Sequence, residues 1–188
     1  PNIAYVLRSQ LTIPRLRTLT IAPGTLVKFR SGQMWVEGGL VADAAGAAPI
    51  VITDFQDDAA GGDTNADGNA SAPSRGGWNL RFRPTSLPAS VLRNVQVRYG
   101  NRIYLDEAAP RIEGSTIEQM AGPLTITGAG SPAIVDNQFL NISTVPVAVS
   151  PFARPSFSGN TVANVPTLAL GLLGGTFVSD FTLAPQTF

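Results

Sequence analysis

Three stretches of the chain, Pro110-Arg-Ile-Glu-Gly-Ser-Thr-Ile117, Pro132-Ala-Ile-Val-Asp-Asn-Gln-Phe139 and Pro155-Ser-Phe-Ser-Gly-Asn-Thr-Val162, repeat one pattern at nearly equal intervals. Each has an apolar residue at its third place (Ile112, Ile134, Phe157), a small polar residue at its sixth (Ser115, Asn137, Asn160) and an apolar residue at its eighth (Ile117, Phe139, Val162). Met120, Ile142 and Val165 extend the pattern to the eleventh place. A second series of alternating pairs, Ile103/Leu105, Leu124/Ile126, Val147/Val149 and Leu168/Leu170, recurs on nearly the same spacing. A period of this size is one coil of a solenoid, in which short strands joined by tight bends stack on the coil below. Alternation turns every second side chain inward, and stacking places like residues on one another. The expected fold is therefore all-β, a single-stranded right-handed parallel β-helix with about 20–23 residues per coil. Asn137 and Asn160 are expected at bends with left-handed backbone, where they also bond to neighbouring coils, and Gly114 and Gly159 at similar bends. A β-sandwich is the alternative, but it does not require equivalent residues to recur coil after coil.

The first half follows the same grammar. Leu11–Ile13, Leu19–Ile21, Val27–Phe29, Met34–Val36 and Ile50–Ile52 are short apolar runs separated by Pro and Gly. Ala22-Pro-Gly-Thr25 suits a type II turn, with Pro23 fixing φ and Gly24 supplying a positive φ. A stretch rich in Asp, Gly, Ala and Ser interrupts the series before Trp78–Phe82 and Val91–Tyr99 resume strand character. The expected organisation is one domain over residues 1–188 with an acidic Gly/Asp-rich insertion at 54–77. No segment sustains a helical period with caps at both ends, so almost no helix is expected.

Composition closes several routes. There is no Cys and no His, which removes disulfides, thiolate nucleophiles, a zinc ribbon and the commonest general base. Thirteen basic residues balance thirteen acidic ones, giving no global field for nucleic acid. Lys28 is the single lysine, and the other basic residues are arginine. No run approaches the roughly 18 apolar residues of a membrane span, since Val165–Leu173 is broken by Pro166 and Gly171, so no membrane insertion is expected. The chain starts at Pro1 without a signal-like stretch, as expected of a processed protein or a piece of a longer one.

A family resemblance rests on the order Leu19-Thr-Ile-Ala-Pro-Gly-Thr-Leu-Val-Lys-Phe29, Val36-Glu-Gly-Gly-Leu-Val-Ala42, Pro49-Ile-Val-Ile-Thr53, Asp57-Asp58, Gly61-Gly-Asp-Thr-Asn-Ala-Asp-Gly68 and Gly76-Gly-Trp78. It resembles the right-handed β-helix region of large bacterial cell-surface and secreted, adhesin-like proteins, over about residues 5–100. The resemblance implies an extracellular or cell-surface location and a structural or adhesive role. The implied partners are other domains of the same large protein or neighbouring subunits. The chain departs from the pattern before the Trp, where Gly-Asp is usual and Gly76-Gly77 stands here.

The core of the insertion, Asp63-Thr-Asn65-Ala-Asp67-Gly68, spaces oxygen ligands at first, third and fifth places before a glycine, as the loop of an EF-hand begins. Ser74 stands at the twelfth place, where an EF-hand requires Glu, so a looser calcium loop is expected. Its candidate ligands are Asp57, Asp58, Asp63, Asn65 and Asp67. The competing reading is a solvated Asp/Asn/Gly turn. Arginines and aromatic residues interleave from Arg75 to Arg111, and Trp78, Arg81, Arg83 and Arg98 are weaker candidates for a cell-surface glycan or anionic polymer. Alternation in Arg81-Phe82-Arg83 equally places arginine outside and the ring inside. Outside the insertion the acidic residues form no evident opposed pair, since Asp106 and Glu107 are sequence neighbours. The expectation is a non-catalytic extracellular module, calcium-stabilised. The alternatives are a self-assembling filament subunit and a polysaccharide-binding or polysaccharide-degrading β-helix.

Overall fold

The computed structural model describes residues 3–176. Their strands form three parallel sheets, and the chain visits each in turn through about seven coils. Sheet A holds Tyr5–Leu7, Leu26–Phe29, Ile50–Asp54, Val95–Arg98, Thr116–Glu118, Gln138–Leu140 and Thr161–Ala163. Sheet B holds Leu11–Ile13, Gly32–Val36, Trp78–Phe82, Arg102–Asp106, Leu124–Thr127, Val147–Val149 and Leu170–Leu172. Sheet C holds Thr18–Ile21, Gly39–Asp43, Val91–Arg93, Arg111–Glu113, Ala133–Val135 and Ser156–Ser158. The fold is an all-β parallel solenoid, without helix among the described residues, and not a sandwich.

The repeat sets the register. Leu92, Ile112, Ile134 and Phe157 pair rung on rung in sheet C. Val97, Ile117, Phe139 and Val162 do so in sheet A. In sheet B, Met34, Leu80, Ile103, Leu124 and Val147 continue the column from Leu11. These side chains fill the cylinder, and most are fully buried. Each such residue stabilises the fold by about 1.5–3 kcal/mol relative to exposure. Trp78 lies inside this core, stacked on Phe29 at 4.4 Å with planes 7° apart. Gly100 makes room for it, because a Cβ there would meet the indole at 3.0 Å.

Two expectations are corrected. The partner of Val147 is Leu170, and Leu168 is 73% exposed. Sheets A, B and C all take an equal step in this coil: Phe139 to Val162, Val147 to Leu170 and Ile134 to Phe157. The left-handed residue at the corner from sheet C to sheet A is not Asn137 or Asn160. It is the residue before each, in the series Asn94, Gly114, Asp136 and Gly159. Placing the bend one residue earlier turns the following side chain inward. Ser115, Asn137 and Asn160 then stack as a buried polar column.

That column supplies the hydrogen bonds that the bent backbone cannot make. Asn137 Oδ1 accepts from the Ser115 N–H at 3.0 Å, and Asn137 Nδ2 donates to the Ile112 carbonyl at 2.8 Å. Asn160 repeats both bonds one coil on, to the Asn137 N–H and the Ile134 carbonyl. The side-chain bonds to neighbouring coils were thus legible from the repeat. Asn137→Ala leaves one buried donor and one buried acceptor unsatisfied, so it is expected to lower unfolding stability by roughly 2–5 kcal/mol in urea titration. Gln138→Ala, on the exposed side of the next strand, is expected to change stability by about 0.5 kcal/mol or less. Equal effects of the two substitutions would contradict the column.

Candidate functional site

The insertion joins sheet A to sheet B in one coil and occupies positions 55–77, between the strands Ile50–Asp54 and Trp78–Phe82. It folds back over the outer face of sheet A. Gly61 rests against Leu26, where a Cβ would meet the leucine Cδ2. Two cations of sheet A then hold the loop, Lys28 and Arg98.

Lys28 projects outward from a strand whose four residues are all buried, and its exposure is 0%. Its ammonium donates to the Asp57 carbonyl at 3.0 Å, the Gly62 carbonyl at 3.2 Å and Thr64 Oγ1 at 2.7 Å. Burial lowers the Lys28 pKa from its ordinary value, while Asp57, Asp58 and Asp63 oppose that shift. Arg98 Nε bonds Asp57 Oδ2 at 2.8 Å, and Thr53 Oγ1 donates to the same oxygen at 2.6 Å. The Asp57 side chain is 1% exposed. A carboxylate so enclosed is tolerated because its partners replace water. Further along the loop, Arg75 reaches Ser143 at 2.8 Å and also bonds Gln119, so the insertion braces several coils.

The structure separates the expected calcium ligands. Asp57 is committed to Arg98 and Thr53 and lies outside the cluster. Asp58, Asp63 and Asp67 converge, each offering a carboxylate oxygen within 4.8 Å of the others. Oxygens bound at 2.3–2.6 Å on opposite sides of one Ca²⁺ are about 4.6–5.2 Å apart, so this spacing fits the ion. Asp58 Oδ1 and Asn65 Oδ1 accept no hydrogen bond, while Asn65 Nδ2 donates to Asp67 Oδ2 at 2.7 Å. Asp63 accepts from the N–H groups of Asp67 at 3.1 Å and Gly68 at 2.8 Å, which fixes the tight turn. Hard oxygen donors around a short Gly-terminated turn suit Ca²⁺ and no softer metal. Beside the cluster, a cleft is lined by Arg30, Asp54, Phe55, Gln56, Asn65, Ser74 and Gly77. Burial raises the Asp54 pKa there, against the Gln56 N–H that bonds the carboxylate.

The four glycan candidates also part company. Trp78 belongs to the core, and Arg98 belongs to the loop clamp. Arg81 and Arg83 do lie outside, on sheet B, both bridging to Asp106. Two rings join them, Tyr104 from the same interleaved stretch and Trp35 from outside it: Arg83 lies over Trp35 at 5.2 Å and Arg81 over Tyr104 at 4.8 Å. The signal for Trp35 was its alternation with Met34 and Val36; that for Lys28 was a lone lysine inside Leu26-Val-Lys-Phe29. Elsewhere several carboxylates are paired on outer faces. Asp43 and Glu113 flank Arg93, and Glu113 also takes Arg111. The Arg111 hydrogen bond, then that of Arg93, holds Glu113 down at about 2.

Compared with protein-family models, with curated proteins and with solved structures, the chain matches none.

Two outcomes are expected. Lys28→Met removes the ammonium that gathers three loop oxygens, so proteolysis within 55–77 accelerates while the far-UV signal persists; an unchanged cleavage rate would remove the clamp. Glu113 has a folded pKa below its unfolded one, so its stabilisation is present above about 4.5 and lost as pH falls toward about 2. The stability deficit of Glu113→Gln, read by urea unfolding, should therefore shrink across that window; a deficit constant with pH would argue against the ion pair.

Proposed function

We propose that this chain is a non-catalytic structural or adhesive module of an extracellular protein, a β-helix whose acidic insertion is ordered by calcium. One observation carries the reading. The loop is clamped onto sheet A by Lys28 and Arg98, yet it keeps a converging Asp58–Asp63–Asp67 cluster that neither cation enters as a hydrogen-bond donor. Three carboxylates in close array repel one another, and a bound Ca²⁺ would offset that repulsion through Asp58, Asp63, Asp67 and the free Asn65 Oδ1. The ion supplies charge and rigidity there.

The non-catalytic part of the reading is supported by where the acids are. Asp43, Asp106, Glu113 and Glu118 are each engaged by arginines on the outer sheets. A glycoside hydrolase or lyase of this architecture needs carboxylates facing a substrate groove, free to transfer protons. Expected partners are neighbouring domains or subunits and surface glycans. A filament-forming subunit is the second reading, favoured by an apolar groove at the first described coil lined by Tyr5, Leu7, Leu11 and Leu19.

Thermal unfolding in Ca²⁺ and in chelator tests the main reading. At about 100 times Kd the ion stabilises by about 2.7 kcal/mol, so the wild-type Tm is expected to rise by several degrees. Asp63→Asn with Asp67→Asn should abolish the rise. Identical wild-type curves at millimolar Ca²⁺ would eliminate calcium, and release of sugar products from polysaccharides would overturn the non-catalytic assignment.

A further inference from the structure

The loop occupies the outer face of sheet A, and the outer face of sheet B carries a different chemistry. Its outward positions run in register from Thr12 to Trp35, Arg81, Tyr104 and Thr125 on successive strands. A second outward column runs from Gln33 to Asn79 and Arg102. Arg83 follows the third strand and lies over the Trp35 ring, while Arg81 and Arg102 approach the Tyr104 ring at 4.8 and 6.0 Å. Among the described residues, three guanidinium groups thus share this patch with two rings; Asp106 bridges two of them, and Glu37 stands one residue past Val36, as Arg83 does past its register partner Phe82. Arginine still outnumbers acid on this patch, on a chain of zero formal net charge.

We propose that this face of sheet B, built on Trp35, Arg81, Arg83, Arg102 and Tyr104, is a docking surface for an acidic polysaccharide.

The partner follows from the groups present. Guanidinium forks match carboxylate and sulfate geometry, and aromatic faces and edges pack on the apolar faces of sugar rings. Asp106 binds Arg81 through Nε and Arg83 at 3.5 Å, which fixes both arginines by one edge. The Arg81 and Arg83 side chains remain 32% and 36% exposed, so their remaining donors face outward already oriented. Trp35 Nε1 donates to Gln33 Oε1 at 2.9 Å, which holds the indole in place. The strands repeat every 4.7–4.9 Å or so, about the length of one pyranose unit, so a linear chain laid across them meets Trp35, Arg81 and Tyr104 on successive rungs.

This deepens the adhesive reading by naming its ligand class, and it rests on that reading but not on calcium. Binding without calcium-dependent melting, or the reverse, tells the two failures apart. Affinity electrophoresis of the full chain through polygalacturonate, dextran sulfate, neutral dextran and poly-L-glutamate supplies the test. Retardation by polygalacturonate, by dextran sulfate or by both is expected, and these arms separate carboxylate from sulfate recognition. Neutral dextran and poly-L-glutamate are expected to bind at least tenfold more weakly. Trp35→Ala and Arg83→Gln are each expected to weaken binding at least tenfold, and Arg83→Lys less so, because charge survives while the fork is lost. Arg93→Ala, on sheet C, should bind as wild type. Should Trp35→Ala unfold, the two Arg83 variants decide. No retardation by either acidic polysaccharide, poly-L-glutamate binding as tightly as the sugars, or Arg83→Gln binding as wild type would overturn the proposal.

Discussion

Each coil of this protein is stable only because another coil covers it. A single coil holds two or three strands of three to five residues, too few to bury an apolar face or to pair their own backbone groups. Vertical stacking solves both problems together, since each parallel ladder that joins two coils also sets one apolar side chain on another, as Ile112 on Ile134 or Ile117 on Phe139. Everything else in the structure answers to that stacking. Corners recur at one height, the left-handed residues recur in columns, and Asn137 and Asn160 supply side-chain bonds where the bend breaks the ladder.

The columns also explain what an inserted loop can and cannot do. Residues 55–77 leave sheet A after Asp54 and return at Trp78, so the coil closes as if nothing had been added. The loop has no core of its own. It is held by charge, through Lys28 beneath it and Arg98 beside it, and by its contact with Leu26. Its acidic residues therefore divide: Asp57 anchors, while Asp58, Asp63 and Asp67 gather in a cluster of their own. The outer face of sheet B escapes this cover and keeps its rings and arginines available. The same repetition that builds the core thus presents two chemically distinct outer faces.

Much of this architecture was legible in the sequence, because inward positions carry a double signature of two-residue alternation and coil-length recurrence. Ile112, Ile134 and Phe157 satisfy both, and they stack as expected. Corners were harder. Alternation says nothing about which of two adjacent residues takes the left-handed conformation, so Asn137 and Asn160 were displaced by one residue from the true bend. Leu168 failed for a related reason: it matches the alternation of Leu170, and only the equal length of the coil at its other corners distinguishes them. The acidic cluster could be located from its spacing, but Asp57 looked equivalent to Asp58. What separates them is Arg98, 41 residues along the chain, and such a partner is set by coiling and not by local pattern. Trp78 illustrates the opposite case: chosen as a glycan candidate for its ring, it lies in the core, as its alternation with Leu80 and Phe82 would have shown.

The most direct test of the stacking uses the absence of native cysteine. Thr116 and Gln138 are register partners on adjacent strands of sheet A, a separation of about 4.8 Å that a disulfide can span. Leu140 lies on the same outward side of the second strand, but two residues further on, about 8 Å from Thr116 by strand geometry. Air oxidation of the Thr116→Cys/Gln138→Cys protein should close the bridge rapidly and without loss of stability, whereas Thr116→Cys/Leu140→Cys should stay reduced. Equal closure of both pairs, or closure of the second alone, would contradict the in-register solenoid.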